Sequence, residues 1–168
     1  MRILSGRYKG RQVKTIQNSG YRPTQSKIRK SLFDILGNLD NSSFLDLYAG
    51  SGIVGFEASS RGAKKVSFVE KESIYVQLLR QNARHFENQP FNIYKQSVLT
   101  FLKGDDNFDI IFADPPYHSN ELFELVKLAL EHLSKNGRFI LETRKETKLP
   151  LGANIRTYGD THLNIWTR

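Results

Sequence analysis

The sequence predicts an α/β fold built on a mainly parallel sheet with helices on both faces, and three observations predict it. From residue 43 to residue 142, short apolar runs alternate with stretches of helical periodicity, the pattern of a doubly wound sheet. The glycines at 50, 52 and 55 satisfy Gly-x-Gly-x-x-Gly and sit between the first of those apolar runs and the helical stretch that follows it. Near the end, Gly159-Asp160 lies between two alternating segments, a two-residue hairpin signal that adds an antiparallel pair to one sheet edge. Together these describe a Rossmann-like unit with a C-terminal antiparallel hairpin.

Residues 3–16 place Ile3, Leu4, Tyr8, Val13 and Ile16 among basic residues and the turn glycines Gly6 and Gly10, giving one or two short strands with cations on one side. Tyr8, interleaved with arginines, suits contact with unstacked bases. Asn18-Ser19-Gly20 marks a loop. Thr24 or Ser26 then caps a helix in which Ile28, Leu32, Phe33, Ile35 and Leu36 fall at helical spacing and which Gly37 ends; its other face offers Lys27, Arg29 and Lys30. Strands follow at residues 43–48, 65–70, 91–95, 108–113 and 137–142, with helices at 53–61, 72–88, 98–103 and 121–134. The expected division is a basic N-terminal hairpin and helix, residues 1–37, and one compact sheet unit, residues 38–168.

Composition narrows the class. The 168 residues suffice for one self-sufficient domain that buries about 70% of its unfolded surface. Absence of cysteine removes disulfides and thiolate metal sites. No apolar run approaches the ~18 residues of a membrane span, and polar, basic sequence follows residues 1–4 where a signal peptide would have its apolar core. The expectation is a cytoplasmic, metal-free monomer. Its net charge of +8 is unevenly placed: the first 30 residues hold nine basic side chains and no acid, while the rest hold 16 basic and 17 acidic ones. Such asymmetry is an electrostatic footprint for a polyanion, with nucleic acid the expected partner.

The glycine loop reads Asp46-Leu47-Tyr48-Ala49-Gly50-Ser51-Gly52-Ile53-Val54-Gly55, and Glu70 ends the next strand, where a ribose-binding acid belongs. This pattern serves a nicotinamide dinucleotide or S-adenosylmethionine. Asp46 favours the second: a carboxylate beside the loop repels a pyrophosphate but attracts the ammonium of a methionine moiety, by about 4 kcal/mol for unit charges ~4 Å apart at an effective dielectric near 20.

A second motif, Asp114-Pro115-Pro116-Tyr117, ends the apolar run Phe108-Asp109-Ile110-Ile111-Phe112-Ala113. Two prolines stop both strand and helix there. They leave a carboxylate, rigid carbonyls and an aromatic ring at the tip. An exocyclic base amine is a poor nucleophile because its lone pair is delocalised into the ring. If the Asp114 carboxylate and the Pro115 carbonyl accept its two hydrogens, the lone pair localises on nitrogen, and the acceptors are already in place. Tyr117 would stack on the base, worth about 1–3 kcal/mol. His118 reads as a solvated loop histidine.

With the basic start Ile3-Leu4-Ser5-Gly6 and Lys9-Gly10-Arg11, and with Arg22-Pro23-Thr24 leading to Arg29-Lys30-Ser31-Leu32-Phe33, these two motifs make the chain resemble the RsmD family along nearly its whole length. That family comprises bacterial methyltransferases acting on N2 of a guanine in small-subunit ribosomal RNA. The resemblance implies a class I S-adenosylmethionine-dependent methyltransferase fold and no metal. It implies a cofactor held by Asp46, Tyr48, Ala49, Gly50, Ser51, Gly52, Glu70 and Lys71, and reaction at Asp114, Pro115, Pro116 and Tyr117. It implies ribosomal RNA, within an assembling small subunit, contacted by Arg7, Lys9, Arg11, Arg22, Thr24, Lys27, Arg29 and Lys30. One departure is Ser97, where similar proteins often carry Asp or Asn against the adenine amino group; the alternative contact is the Val98 backbone. The tip alone serves adenine N6 as well as guanine N2. An amino-methyltransferase acting on DNA or a protein amide, and a nicotinamide-dependent oxidoreductase sharing only the glycine loop, stay open as rival readings.

Overall fold

The computed structural model describes residues 1–16, 26–87, 89–116, 121–149 and 152–168. Arg22, Thr24, Tyr117 and His118 lie outside the described residues.

Seven strands form one sheet in the order β3-β2-β1-β4-β5-β7-β6. The strands β1 (Ser43–Leu47), β2 (Lys65–Glu70), β3 (Phe91–Lys95), β4 (Phe108–Ala113) and β5 (Leu133–Arg144) run parallel. The C-terminal pair β6 (Asn154–Tyr158) and β7 (Thr161–Thr167) is antiparallel, and β7 pairs antiparallel with β5. Side chains alternate between two apolar layers, as a pleated strand requires. Phe44, Ile110 and Phe112 face a core that also holds α1 (Ser26–Leu36), α2 (Ile53–Ser60) and part of α3 (Ser73–Ala83). Leu45, Leu47, Ile111 and Ala113 face the core shared with α4 (Val98–Phe101) and α5 (Leu122–Glu131).

Every residue of α2 is buried, which a helix on the outside of a sheet reaches only if something covers its far side. The N-terminal segment is that cover. The amides of Leu4 and Ser5 donate to Glu57 Oε2 and Oε1 at 2.7 and 3.0 Å, the Tyr8 amide donates to Ser60 Oγ at 2.9 Å, and Ser60 Oγ donates to the Ser5 carbonyl at 2.6 Å. Gly6 lets the chain approach closely: its φ is +81°, and a Cβ there would lie 1.8 Å from the Ser60 carbonyl oxygen. Residues 1–16 form a tight hairpin, with Arg2 bridged to Gln12 and the Ile3 amide donating to the Arg11 carbonyl at 3.0 Å. Ile3, Tyr8 and Val13 share one apolar cluster with Phe44 and Phe56, so packing runs unbroken across residue 37.

Helix α1 stops where expected: Gly37 adopts φ +68° and donates to the Phe33 carbonyl at 3.0 Å, while Arg138 donates to the Ile35 and Leu36 carbonyls at 3.0 and 2.7 Å. The other helices are shorter than periodicity suggests, α2 by one residue and α4 by two at the C-terminal end, α3 and α5 by more. Helix α3 ends at Ala83 because Phe86 turns inward to stack on Phe56, centroids 4.5 Å apart. Helix α5 ends at Glu131 because Leu133 already pairs with Phe108; the chain then bulges, with Asn136 at φ +64°, before regular pairing resumes at Arg138 and Ile110. Among the described residues no helix is long and apolar enough to cross a membrane, and no cluster of His, Cys, Asp and Glu could hold a metal ion.

Candidate active site

The chain leaves β1 for β2 and β3 on one side, then returns to lay β4 on the other side of β1. Strand order therefore reverses between β1 and β4, and the crevice beyond their carboxyl ends is where open α/β sheets bind ligands. Asp46 and Leu47 are the ladder partners of Phe112 and Ala113. Tyr48 and Asp114 come next in each chain, so the glycine loop and the Asp-Pro-Pro tip leave the sheet from neighbouring strands, about 5 Å apart.

The loop is tightly wound. Tyr48, Gly50 and Gly52 have φ of 57°, 52° and 78°. A left-handed tyrosine is an unusual conformation that its surroundings must hold in place. They do so through backbone bonds: Ala49 donates to the Val69 carbonyl at 3.1 Å, and Gly52 to the Ala49 carbonyl at 2.7 Å. Burial, with Glu121 nearby, pushes the Tyr48 hydroxyl up to about 12, so it stays protonated. A Cβ on Gly52 would lie 2.5 Å from Leu79 Cδ2 and 2.7 Å from Phe56 Cε2, and one on Gly55 would lie 2.3 Å from Phe68 Cε1, so both glycines are also demanded by packing.

Asp46 is not the open carboxylate expected. It is 2% exposed, its Oδ2 accepts from the Gly55 amide at 2.9 Å, and burial pushes its carboxyl up to about 8, opposed by that hydrogen bond and reinforced by Glu70. This weakens the electrostatic argument that chose between cofactors: a buried acid whose proton affinity is raised and whose Oδ2 is committed to the Gly55 amide presents less charge to a pyrophosphate or an ammonium than an open carboxylate would. Glu70 does reach the loop. Its Oε2 accepts from the Gly50 amide at 3.0 Å and its Oε1 from the Glu72 amide at 2.9 Å. Lys71 beside it is exposed, 3.9 Å from Glu72. Ser51 is buried and its Oγ has no hydrogen-bond partner among the described residues. Ser97 caps α4, accepting from the Thr100 amide at 3.2 Å, and Val98 is buried below it. At the tip, Asp114 is half-buried, Pro115 buried and Pro116 exposed.

Of the expected nucleic-acid contacts, Arg7, Lys9, Lys27 and Lys30 are exposed and Arg11 is half-buried. Lys30 is paired with Asp34 at 2.9 Å. Arg29 is a correction. It is fully buried, donates from Nη2 to the Arg2 carbonyl at 2.9 Å and lies 3.7 Å from Glu57, so it braces the N-terminal segment and cannot reach RNA. Tyr8 is a second correction: its ring is buried, edge-on to Phe86 at 5.1 Å, and its hydroxyl donates to the Glu87 carbonyl at 2.7 Å.

Two residues near the site were missed. Glu57 could have been suspected, since a lone acid in the apolar stretch Ile53-Val54-Gly55-Phe56-Glu57-Ala58 needs a partner and the preceding acid-free segment supplies cations. Asn82 gave no signal. It is buried, accepts from the Lys14 amide and donates to the Lys14 and Ser51 carbonyls, all at 3.0 Å, tying the N-terminal segment to the glycine loop.

The family model described as conserved hypothetical protein 95 matches residues 1–167, and this is the RsmD family of methyltransferases. The chain belongs to this family. The match includes the basic N-terminal segment. Ribosomal RNA small subunit methyltransferase D of Haemophilus influenzae is 35% identical over 157 residues, covering 89% of this chain and 81% of the relative. The protein of that name from Escherichia coli K12 is 30% identical over 155 residues, covering 89% and 78%. A hypothetical protein of Thermus thermophilus superposes with a TM-score of 0.86 at 33% identity, covering 98% of each chain. The Rossmann-like architecture expected of this RsmD-family chain, with its C-terminal antiparallel pair, is the one observed.

Proposed function

We propose that this chain transfers a methyl group from S-adenosylmethionine to the exocyclic N2 amine of a guanine in small-subunit ribosomal RNA. The observation that carries the reading is the placement of the glycine loop and the Asp114-Pro115-Pro116 tip on adjacent strands at the reversal of strand order. The names of the relatives supply the RNA and the subunit; guanine N2 follows from the family resemblance.

The residues present fit the cofactor. A left-handed loop with a buried hydroxyl lacking a partner at Ser51, an acid at the end of β2 and no basic side chain in the loop itself suit a nucleoside without phosphate. Glu70 would hold the ribose hydroxyls, the loop from Tyr48 to Gly52 the methionine portion, and Val98 the adenine edge. Ser97 is occupied as a helix cap. When bound, S-adenosylmethionine would supply an electrophilic methyl on a positively charged sulfur, which would depart as a neutral thioether as its bond to the methyl breaks.

The chain's own residues prepare the acceptor. Asp114 and the Pro115 carbonyl take the two amine hydrogens, which lifts the nitrogen lone pair out of conjugation. Burial of Pro115 holds that carbonyl fixed, so no reorganisation is needed as charge develops. As the new N–C bond forms the nitrogen loses a proton, which Asp114 accepts and passes to water. The target base must lie outside any helical stack to reach the crevice. Nucleoside mass spectrometry of small-subunit RNA after incubation with the protein and S-adenosylmethionine tests the reading. N2-methylguanosine is the expected product; N6-methyladenosine alone would overturn the base assignment, and an unmethylated RNA the reading as a whole.

A further inference from the structure

A bay of about 390 Å³ lies away from the catalytic tip, between the N-terminal hairpin and the end of α3. Arg11, Gln12, Lys14, Arg84, His85 and Glu87 line it. We propose that this bay binds a phosphodiester of the RNA strand whose target base occupies the crevice, with Arg11, Lys14 and Arg84 as its cationic contacts. The proposal deepens, and rests on, the reading of the chain as an RNA methyltransferase.

Arg11 is built for the role. Its guanidinium carbon lies 4.8 Å from the Tyr8 ring centroid and 5.6 Å from that of Phe86, and these two buried rings lock each other edge to face. A guanidinium stacked in this way has lost most of its freedom before any ligand arrives, and its planar fork matches two phosphate oxygens. No ion pair among the described residues joins Arg11, Lys14 or Arg84 to a carboxylate, so their charge is not spent within the fold. Glu87 is the one acid among the described residues of the lining.

The bay is also mechanically continuous with the crevice. Lys14 is fixed by its amide and carbonyl to the side chain of Asn82, which holds the Ser51 carbonyl of the glycine loop in the same grip. A phosphate in the bay therefore registers the RNA strand against the wall that shapes the cofactor site. Arg84 has a competing explanation, because a cation at the C-terminal end of α3 complements the helix dipole. That role would alter stability and leave RNA binding alone.

The test uses the full chain with small-subunit ribosomal RNA, both protein-free and in partly assembled subunits, in the presence of S-adenosylhomocysteine, with affinity measured across a range of salt. The paired Lys14→Gln, Arg84→Gln variant is expected to reduce the slope of log affinity against log salt by about 0.7, the value for the one single-strand phosphate that the bay no longer neutralises. Glu87→Gln is expected to tighten binding, a gain that misfolding cannot produce. Lys127→Gln, an exposed cation on α5, serves as the control and should leave the slope unchanged. If the wild type methylates this RNA while the paired variant and Glu87→Gln match it in slope and affinity, the bay is not a phosphate site. If the wild type neither binds nor methylates it in either form, the proposal falls together with the functional reading.

Discussion

Asp46 turns from an expected ligand into a brace, and the change has a measurable sign. Its carboxyl is held up to about 8 in the fold, against an ordinary value of 3.8. Between those values the native state keeps a proton that the unfolded chain releases, so this residue makes stability fall as pH rises from about 4 to about 8. Asp46→Asn keeps an oxygen for the Gly55 amide and removes the titration. Its stability relative to wild type should therefore climb across that window in urea denaturation, whereas a constant difference would mean that the carboxyl is ionised in the fold. Arg29 shows the limit of reading residues singly. Helical spacing placed it among cations, but spacing does not reveal that an acid 28 positions away waits under the same segment. Burial lowers its pKa while Glu57 opposes that shift, and the pair survives because the amides of Leu4 and Ser5 share the carboxylate.

Glu57 on α2 is the point on which the N-terminal segment hangs. Glu57→Ala leaves Arg29 without its carboxylate and strands two amides, and we expect a loss of about 3–5 kcal/mol in folding stability. A loss under 1 kcal/mol would show that the segment is only lightly attached. Gly52→Ala would force a methyl to within 2.5 Å of Leu79 at φ +78°, so cofactor-product binding measured by calorimetry should weaken at least tenfold, and unaltered binding would contradict the tight loop described here. Strands were the most legible elements: β2, β3 and β4 begin and end where apolar runs do. Helix ends were less so. Phe86 and Leu133 continue a helical pattern in sequence, but each is drawn out of it by a tertiary partner, Phe56 in one case and Phe108 in the other. No local signal announces such a partner.

Alternation of strand and helix carried the order of elements, and the glycine and proline motifs carried the position of the crevice, because both are local. What joined the N-terminal segment to the rest was non-local, and a basic, acid-free stretch looked separable when it is the lid of α2. A truncation lacking residues 1–16 removes the buried side chains of Ile3, Tyr8 and Val13, each worth about 1.5–3 kcal/mol. That sum rivals the stability of a whole domain, so the truncated chain should lose its cooperative thermal transition; an unchanged midpoint would show that the segment adds little to the fold. The account as a whole turns on Asp114 and the loop of residues 46–52 serving one reaction from two neighbouring strands. The most direct measurement compares Asp114→Ala with wild type for methyl transfer to small-subunit RNA and, in the same preparations, for binding of S-adenosylhomocysteine. We predict transfer reduced by about a hundredfold or more with binding retained, and turnover equal to wild type would contradict it.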